Sequence, residues 1–223
     1  MPNDRVLQEA ARLRRRKRRS AQRLYRRYQQ QVPALIRQLG TTQTAHDRSF
    51  DLLSRMSDTI VTELLEALAD PTLDSIAADE VVSLLGAAGD QRARAALWAF
   101  FEANRDDPER ASTAALSLSG LGDERVLPYV RQSLQARDEE LVSNAVASLI
   151  SLGELEDVDR LRLVHLRFLG NREICVGTAS AILTILGETD EATMRQKMDE
   201  IKASPVDAGL WDDIWSILEQ QFG

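Results

Sequence analysis

A chain of 223 residues is long enough to bury a sizeable core, and 43% apolar and 28% charged residues with only 11 Gly and 6 Pro are the balance of a helix-rich globular protein. A single cysteine, Cys175, excludes an internal disulfide, and the longest apolar-leaning run, VGTASAILTILG, is too short and too polar to span a bilayer. The formal net charge of -7 divides unevenly: residues 1–37 hold 12 basic and 2 acidic side chains, a balance of +10, and the rest of the chain carries -17, the pattern of a basic arm on an acidic body.

The arm comes first. Its core is ARLRRRKRRSAQRLYRRY, Ala11–Tyr28, with cations at Arg12, Arg14, Arg15, Arg16, Lys17, Arg18, Arg19, Arg23, Arg26 and Arg27. Residues 4–31 contain neither Pro nor Gly. A helix is predicted from about Asn3 until the chain nears Pro33, which disfavours helical geometry at Val32. Val6, Leu7, Leu13, Leu24, Tyr25 and Tyr28 give only an interrupted apolar seam, broken at Lys17. Cations on every side repel one another at three- and four-residue spacing, so such a helix is either disordered alone or waits for an anionic partner.

Three partners compete for it. Nucleic acid would be bound through counterion release, with Tyr25 and Tyr28 available for stacking. An anionic membrane surface wants a clean apolar face, which residues 12–23 lack. The third is an acidic protein surface. A solvated tail of no specific role is the remaining reading. The segment has no secretory apolar core, and Asp4, Glu9 and an isolated Ser20 argue against a mitochondrial-type presequence. The cytoplasm is the expected location, with no membrane span.

Next, AHDRSFDLLSRMSDTIVTELLEALAD places Phe50, Leu53, Met56, Ile60, Leu64 and Leu68 at three- and four-residue steps, which predicts one continuous helix capping a first repeat. The repeats come after it. SLLGAAGD, SLSGLGD, SLISLGE and LTILGE each end an apolar run with Gly and an acid, and Gly89, Gly122, Gly153 and Gly187 are 33, 31 and 34 residues apart. Leu85, Leu118, Leu149 and Leu183 recur in step. Each glycine is expected at a helix C-terminus with φ > 0, and each acid near the next helix's positive end.

Helix starts at Asp70-Pro71, Asp107-Pro108, Asp138, Asn171 and Ser204-Pro205 interleave with these at 37, 31, 33 and 33 residues. Two starts per period mean a helix pair per repeat. First helices are predicted near 52–69, 91–104, 124–136, 156–168 and 190–203, and second helices near 74–88, 108–121, 139–152, 172–186 and 206–221. Ala111, Ala114, Ala115 and Leu118, then Val142, Ala145, Val146 and Leu149, supply their buried faces.

Over about residues 60–203 these stretches resemble HEAT repeats, and more particularly the short HEAT-like repeats of the phycobilisome lyase type. The resemblance implies an all-α fold: a right-handed α-solenoid of about five HEAT-like helix pairs, with the second helices lining a concave face, beside a basic N-terminal helix. Stacking is also required by the repeat itself, since one helix pair cannot bury its apolar face alone. Residues 1–40 are thus read as a basic helical arm and 41–223 as the repeat domain with terminal capping helices. At the far end Trp211, Ile214, Trp215 and Leu218 form an apolar stripe, read as a cap on the stack or as a partner-binding patch.

Convergent chemistry is sparse. His46 and His165 read as surface or satisfied packing residues, and with one Cys and no recurring His-Glu pair neither zinc nor a di-iron site is expected; no cofactor is assigned. Cys175 reads as a small buried hydrophobe, or less readily as a thiol activated at a helix start. No phosphate loop or nucleophile motif occurs, so no enzyme activity and no catalytic residue are expected. Aligning the glycines sets Thr113, Asn144 and Thr178 in one column, Arg110, Leu141 and Cys175 in another, and Ser117, Ser148 and Ile182 in a third. From these, Arg110, Thr113, Ser117, Asn144, Ser148 and Thr178 are candidate groove residues. No cation column emerges, unlike the cationic groove of HEAT-like DNA glycosylases.

The sequence therefore favours a non-enzymatic protein-binding adaptor or scaffold within a larger assembly, the groove holding a protein partner and the arm an anionic surface. One alternative is a lyase or chaperone-like accessory factor for tetrapyrrole (bilin) proteins, which only the resemblance implies. Another is a nucleic-acid-associated protein using residues 12–27 of the arm.

Overall fold

The computed structural model describes the backbone of residues 2–222 and the side chains of residues 12, 13 and 15–220. Among the described residues every regular element is a helix. None is long and apolar enough to cross a membrane. The chain forms two compact units, one ending at Ala103 and the other starting at Asn104.

The first unit contains α1 (Pro2–Tyr28), a 3-10 turn at Gln29–Gln31, α2 (Val32–Gln38), α3 (Gln43–Ser54), α4 (Val61–Leu68), α5 (Ser75–Ala88) and α6 (Arg94–Ala103). Helix α2 packs against α3, α4 and α5. Its Val32 and Ile36, with Leu39, join Leu53, Leu64, Val81 and Leu85 in the core. Val32 departs from expectation by taking right-handed helical angles, φ -51° and ψ -47°, although Pro33 follows. Pro33 lies in the first turn of α2, where its missing N–H leaves no bond unmade. Complete burial of Val32 fixes the geometry that the proline disfavours.

The helix predicted across 45–70 is two helices. Arg55–Ile60 form a turn between α3 and α4, where Ser57, Asp58 and Thr59 are all weak helix formers. Met56 and Ile60 are nevertheless fully buried, so their spacing correctly marks inward residues while misjudging the path between them. Asp70 likewise caps no helix. Its carboxylate closes a local turn by accepting the N–H and hydroxyl of Thr72, and α5 starts at Asp74, which accepts from Ile76 N at 2.9 Å.

The second unit runs α7 (Pro108–Gly120), α8 (Leu127–Ser133), α9 (Glu139–Leu152), α10 (Asp157–Arg167), α11 (Arg172–Gly187), α12 (Glu191–Ala203) and α13 (Ala208–Phe222). Helix α9 packs against both α7 and α11, α11 also against α13, and α8, α10 and α12 each pack on the helix that comes next. Asp107, Asp138 and Asn171 cap α7, α9 and α11 by accepting backbone N–H groups. Ser204 instead precedes a 3-10 turn and its side chain makes no cap bond. Ala111, Ala114, Ala115, Leu118, Val142, Ala145, Val146 and Leu149 are all buried. Their small and branched side chains let α7 and α9 approach closely.

The four repeat glycines do different jobs. Gly89 (φ 66°) and Gly122 (φ 71°) take the left-handed conformation that favours glycine. Gly153 is extended, at φ -65° and ψ 143°. A Cβ there would sit 2.5 Å from Leu149 O and 2.6 Å from Ile185 Cδ1, so glycine is needed for close approach of α9 and α11. Gly187 ends α11 with open space around it, and the 34-residue step leaves Leu183 only half-buried while Ile182 and Leu186 fill the core. Gly153→Ala should therefore destabilise the protein by about 1–3 kcal/mol, while Gly187→Ala should be neutral or stabilising by up to about 1 kcal/mol. Urea unfolding of the two variants measures both; equal effects would refute the distinction.

Candidate anionic-partner interface

From Arg12 to Ser20 every described residue of α1 is exposed, including Leu13 at 59%. Arg12, Arg15, Arg16, Lys17, Arg18 and Arg19 lie in this stretch, and Arg23, Arg26 and Arg27 are exposed further on. The side chain of Arg14 lies outside the described residues. None of these nine cations forms an ion pair with a described residue. At about 1.5 Å per residue they run along roughly 22 Å of helix and project on all sides of it. Guanidinium groups that keep their charge and their forked donors free suit a partner bearing carboxylates or phosphates.

What holds α1 is a stripe beyond the charged run. Ala21 is 2% exposed, and Leu24, Tyr25 and Tyr28 are half-buried, which is helical i, i+3, i+4, i+7 spacing. Ala21 is the member that sequence reasoning missed, and its distance of three and four residues from Leu24 and Tyr25 was the available signal. The Tyr25 hydroxyl donates to Glu63 Oε1 on α4 at 2.6 Å, and that bond holds its pKa above the ordinary phenol value. The Arg27 guanidinium covers the Tyr28 ring at 5.5 Å. Both tyrosines thus have packing roles. At the foot of the arm a cleft of about 490 Å³ is lined by Tyr28, Gln31, Leu35, Gln38, Arg48 and Leu52 among others.

The candidate groove residues are brought together only in part. Arg110 donates to Asn104 Oδ1 at 2.8 Å and Asn144 Nδ2 to Ser112 Oγ at 3.2 Å, while the Thr113 hydroxyl turns back to Glu109 O. Ser117, Ser148 and Thr178 are buried, at 6%, 1% and 0% exposure. Ser148 and Thr178 donate to carbonyls of their own helices. The three sit in helix packing, because columns flanking an apolar stripe are covered where helices pack. Asn144 and Ser148 border a crevice between α7, α8 and α9 that is too narrow for a water molecule. At the C-terminal end Leu210 and Ile214 are fully buried whereas Trp215 is 52% exposed, stacked on Trp211 at 6.3 Å and donating to Glu219.

Buried acids lie between the helices of the second unit. Asp157 is fully buried and receives Arg131 Nε at 2.9 Å, Arg160 Nη1 at 2.8 Å and Glu154 N at 3.0 Å. Glu154, Glu156 and Asp157 converge closely enough for a cation, but Arg131 and Arg160 already occupy that position. Asp207 receives Arg162 at 2.5 Å. A different group joins three helices: His165 on α10, Cys175 on α11 and Asp213 on α13, all buried, each with one donor atom within 4.8 Å of the others. His165, read from sequence as a satisfied residue, bonds Asp213 through Nε2 at 3.1 Å, yet its Nδ1 has no hydrogen-bond partner among the described residues. Burial pushes the Cys175 thiol above its ordinary pKa. His46 differs: it is held above the usual imidazole range by Glu80, 2.9 Å away, and by Asp47.

No protein-family model matches the chain, and no curated protein matches it.

Burial opposes ionisation of Asp157, Asp207 and Asp213, but Arg131, Arg162 and Arg172 respectively outweigh it, so all three carboxyls lie below their usual range. Unfolding frees them to bind protons more readily, so stability rises with pH in the acid range. Their contribution is complete above the unfolded carboxyl pKa of about 3.9 and is lost as pH falls through the lower folded values. The thermal midpoint should accordingly drop steeply below about pH 4. Asp157→Asn should cost about 2 kcal/mol at neutral pH, less than a fully buried pair because Arg131 retains Glu154 and Glu156. It should also flatten that acid dependence; an unchanged profile in calorimetry would refute the assignment.

Proposed function

We propose that this chain is a non-enzymatic adaptor in a larger assembly: a HEAT-like α-solenoid body that binds a protein partner, with the basic helix α1 engaging an anionic surface of that assembly. The observation that carries it is the exposed run Arg12–Ser20, whose described cations have no carboxylate partner among the described residues. Nine like charges in one helix, none with a carboxylate partner among the described residues, are unfavourable to the isolated chain, and an anionic partner relieves that repulsion. The consecutive packing of α7, α9, α11 and α13 supports a repeat body, and stacked helix pairs present extended binding surfaces. Acidic character elsewhere in the chain, -17 over residues 38–223, favours a partner that meets the arm and leaves the body's charged surface alone.

A nucleic-acid partner is the second reading, favoured by one feature: the cations surround the helix, whereas a flat surface would use one side. Replacing Arg15, Arg16, Arg18 and Arg19 by Gln leaves the anchoring stripe intact and separates these outcomes. In affinity capture from the native cells, the adaptor reading expects a nuclease-resistant protein complex, weakened at least tenfold by the four substitutions and by raising salt from 50 to about 200 mM. Recovery that vanishes on nuclease treatment would transfer the function to nucleic-acid binding, where affinity falls about 10³-fold or more over the same salt range. A bound bilin chromophore after co-expression would replace both with the accessory-factor reading.

A further inference from the structure

We propose that His165, Cys175 and Asp213 form a binding site for a zinc-type divalent cation that clamps α10, α11 and α13 together. The three residues are 1%, 4% and 9% exposed, and one donor atom of each lies within 4.8 Å of the others. Thiolate, imidazole and carboxylate together are the donors of zinc and its first-row neighbours, whereas calcium and magnesium take oxygen. His165 Nε2 and Asp213 Oδ2 are 3.1 Å apart. Two ligands of a tetrahedral zinc with bonds of about 2.1 Å stand about 3.4 Å apart, so that edge of the site exists already.

The second ring nitrogen fixes which tautomer the assignment needs. Nδ1 of His165 is buried without a hydrogen-bond partner among the described residues. In the two tautomers of the neutral ring, either a bare Nδ1 lone pair lies in the interior or an Nε2 lone pair faces the Asp213 carboxylate. A cation on the Nε2–Oδ2 edge takes the Nε2 lone pair, which is the tautomer with the proton on Nδ1.

The surroundings fit as well. One thiolate and one carboxylate oppose a 2+ ion, and with the Arg172 guanidinium on the same carboxylate a single positive charge remains at the cluster's solvent-facing edge. Arg172 holds the other Asp213 oxygen, Oδ1, as an outer partner that orients a ligating carboxylate. Its own side chain is 69% exposed, so it stands at the boundary between the cluster and solvent. The Cys175 thiol donates to Phe168 O at 3.3 Å; that carbonyl also accepts Asn171 N at 2.8 Å, so releasing the thiol leaves no acceptor unmet.

Titration of the full-length protein, stripped with a chelator, with Co²⁺ tests this directly. Because Cys175 is the chain's only cysteine, a thiolate-to-cobalt charge-transfer band reports on this site alone. One equivalent of Co²⁺ should generate the band and Zn²⁺ should abolish it, while Zn²⁺ raises the thermal unfolding midpoint. His165→Gln and Asp213→Asn should each weaken binding at least about tenfold, with helicity checked by circular dichroism. Absence of the band from folded wild-type protein would overturn the proposal, even if a variant failed to fold. An affinity unchanged in a folded His165→Gln would assign binding to a lone thiol and overturn it equally.

Discussion

Carboxylates buried between helices, each neutralised by an arginine, are the constraint on which the second unit depends. Asp123, Asp157, Asp207 and Asp213 are 0%, 0%, 2% and 9% exposed, and they meet Arg125, Arg131, Arg162 and Arg172 respectively. An unpaired carboxylate in those places would be strongly destabilising. One pair, Asp123 with Arg125, is local, two residues apart, and shapes a turn. Others reach across elements: Arg131 on α8 to Asp157 at the start of α10, and Arg162 on α10 to the turn before α13. Apolar burial is non-directional and would tolerate other arrangements of similar helices. A forked guanidinium meeting a buried carboxylate tolerates far fewer.

Charge at the other end of the chain is arranged in the opposite way. The arm's cations are exposed and unpaired among the described residues, while its attachment relies on Ala21, Leu24, Tyr25 and Tyr28 and on the bond from Tyr25 to Glu63. Anchoring and recognition are thereby separated along one helix. The stripe fixes where the helix leaves the unit, and the charged turns beyond it are free to meet a partner without disturbing the core around Val32, Ile36 and Leu64.

The cluster of His165, Cys175 and Asp213 belongs to the first of these patterns and departs from it. Asp213 has its arginine, yet it also faces an imidazole and lies near a thiol from two further helices. A purely structural ion pair needs no sulfur. Joining α13 to α10 and α11 through one centre would add a fixed point to the terminal helix, whose apolar contact is otherwise concentrated at Leu210 and Ile214.

Helical class, the second helices and three of their five caps were legible in the sequence, because Asp107, Asp138 and Asn171 act on backbone groups two or three residues away. The inward residues of the 45–70 stretch were legible too, since a three- and four-residue rhythm records which side is buried even where the path bends at Arg55–Ile60. Tertiary structure alone decided the rest. The role of Gly153 depends on Ile185 of a neighbouring helix, and the burial of Ser117, Ser148 and Thr178 depends on how their helices pack. His165, Cys175 and Asp213 are separated by 10 and 38 residues, with no spacing rule to link them. They meet only because α10, α11 and α13 pack together, and that packing is a sum of many weak, long-range contacts that no local pattern encodes.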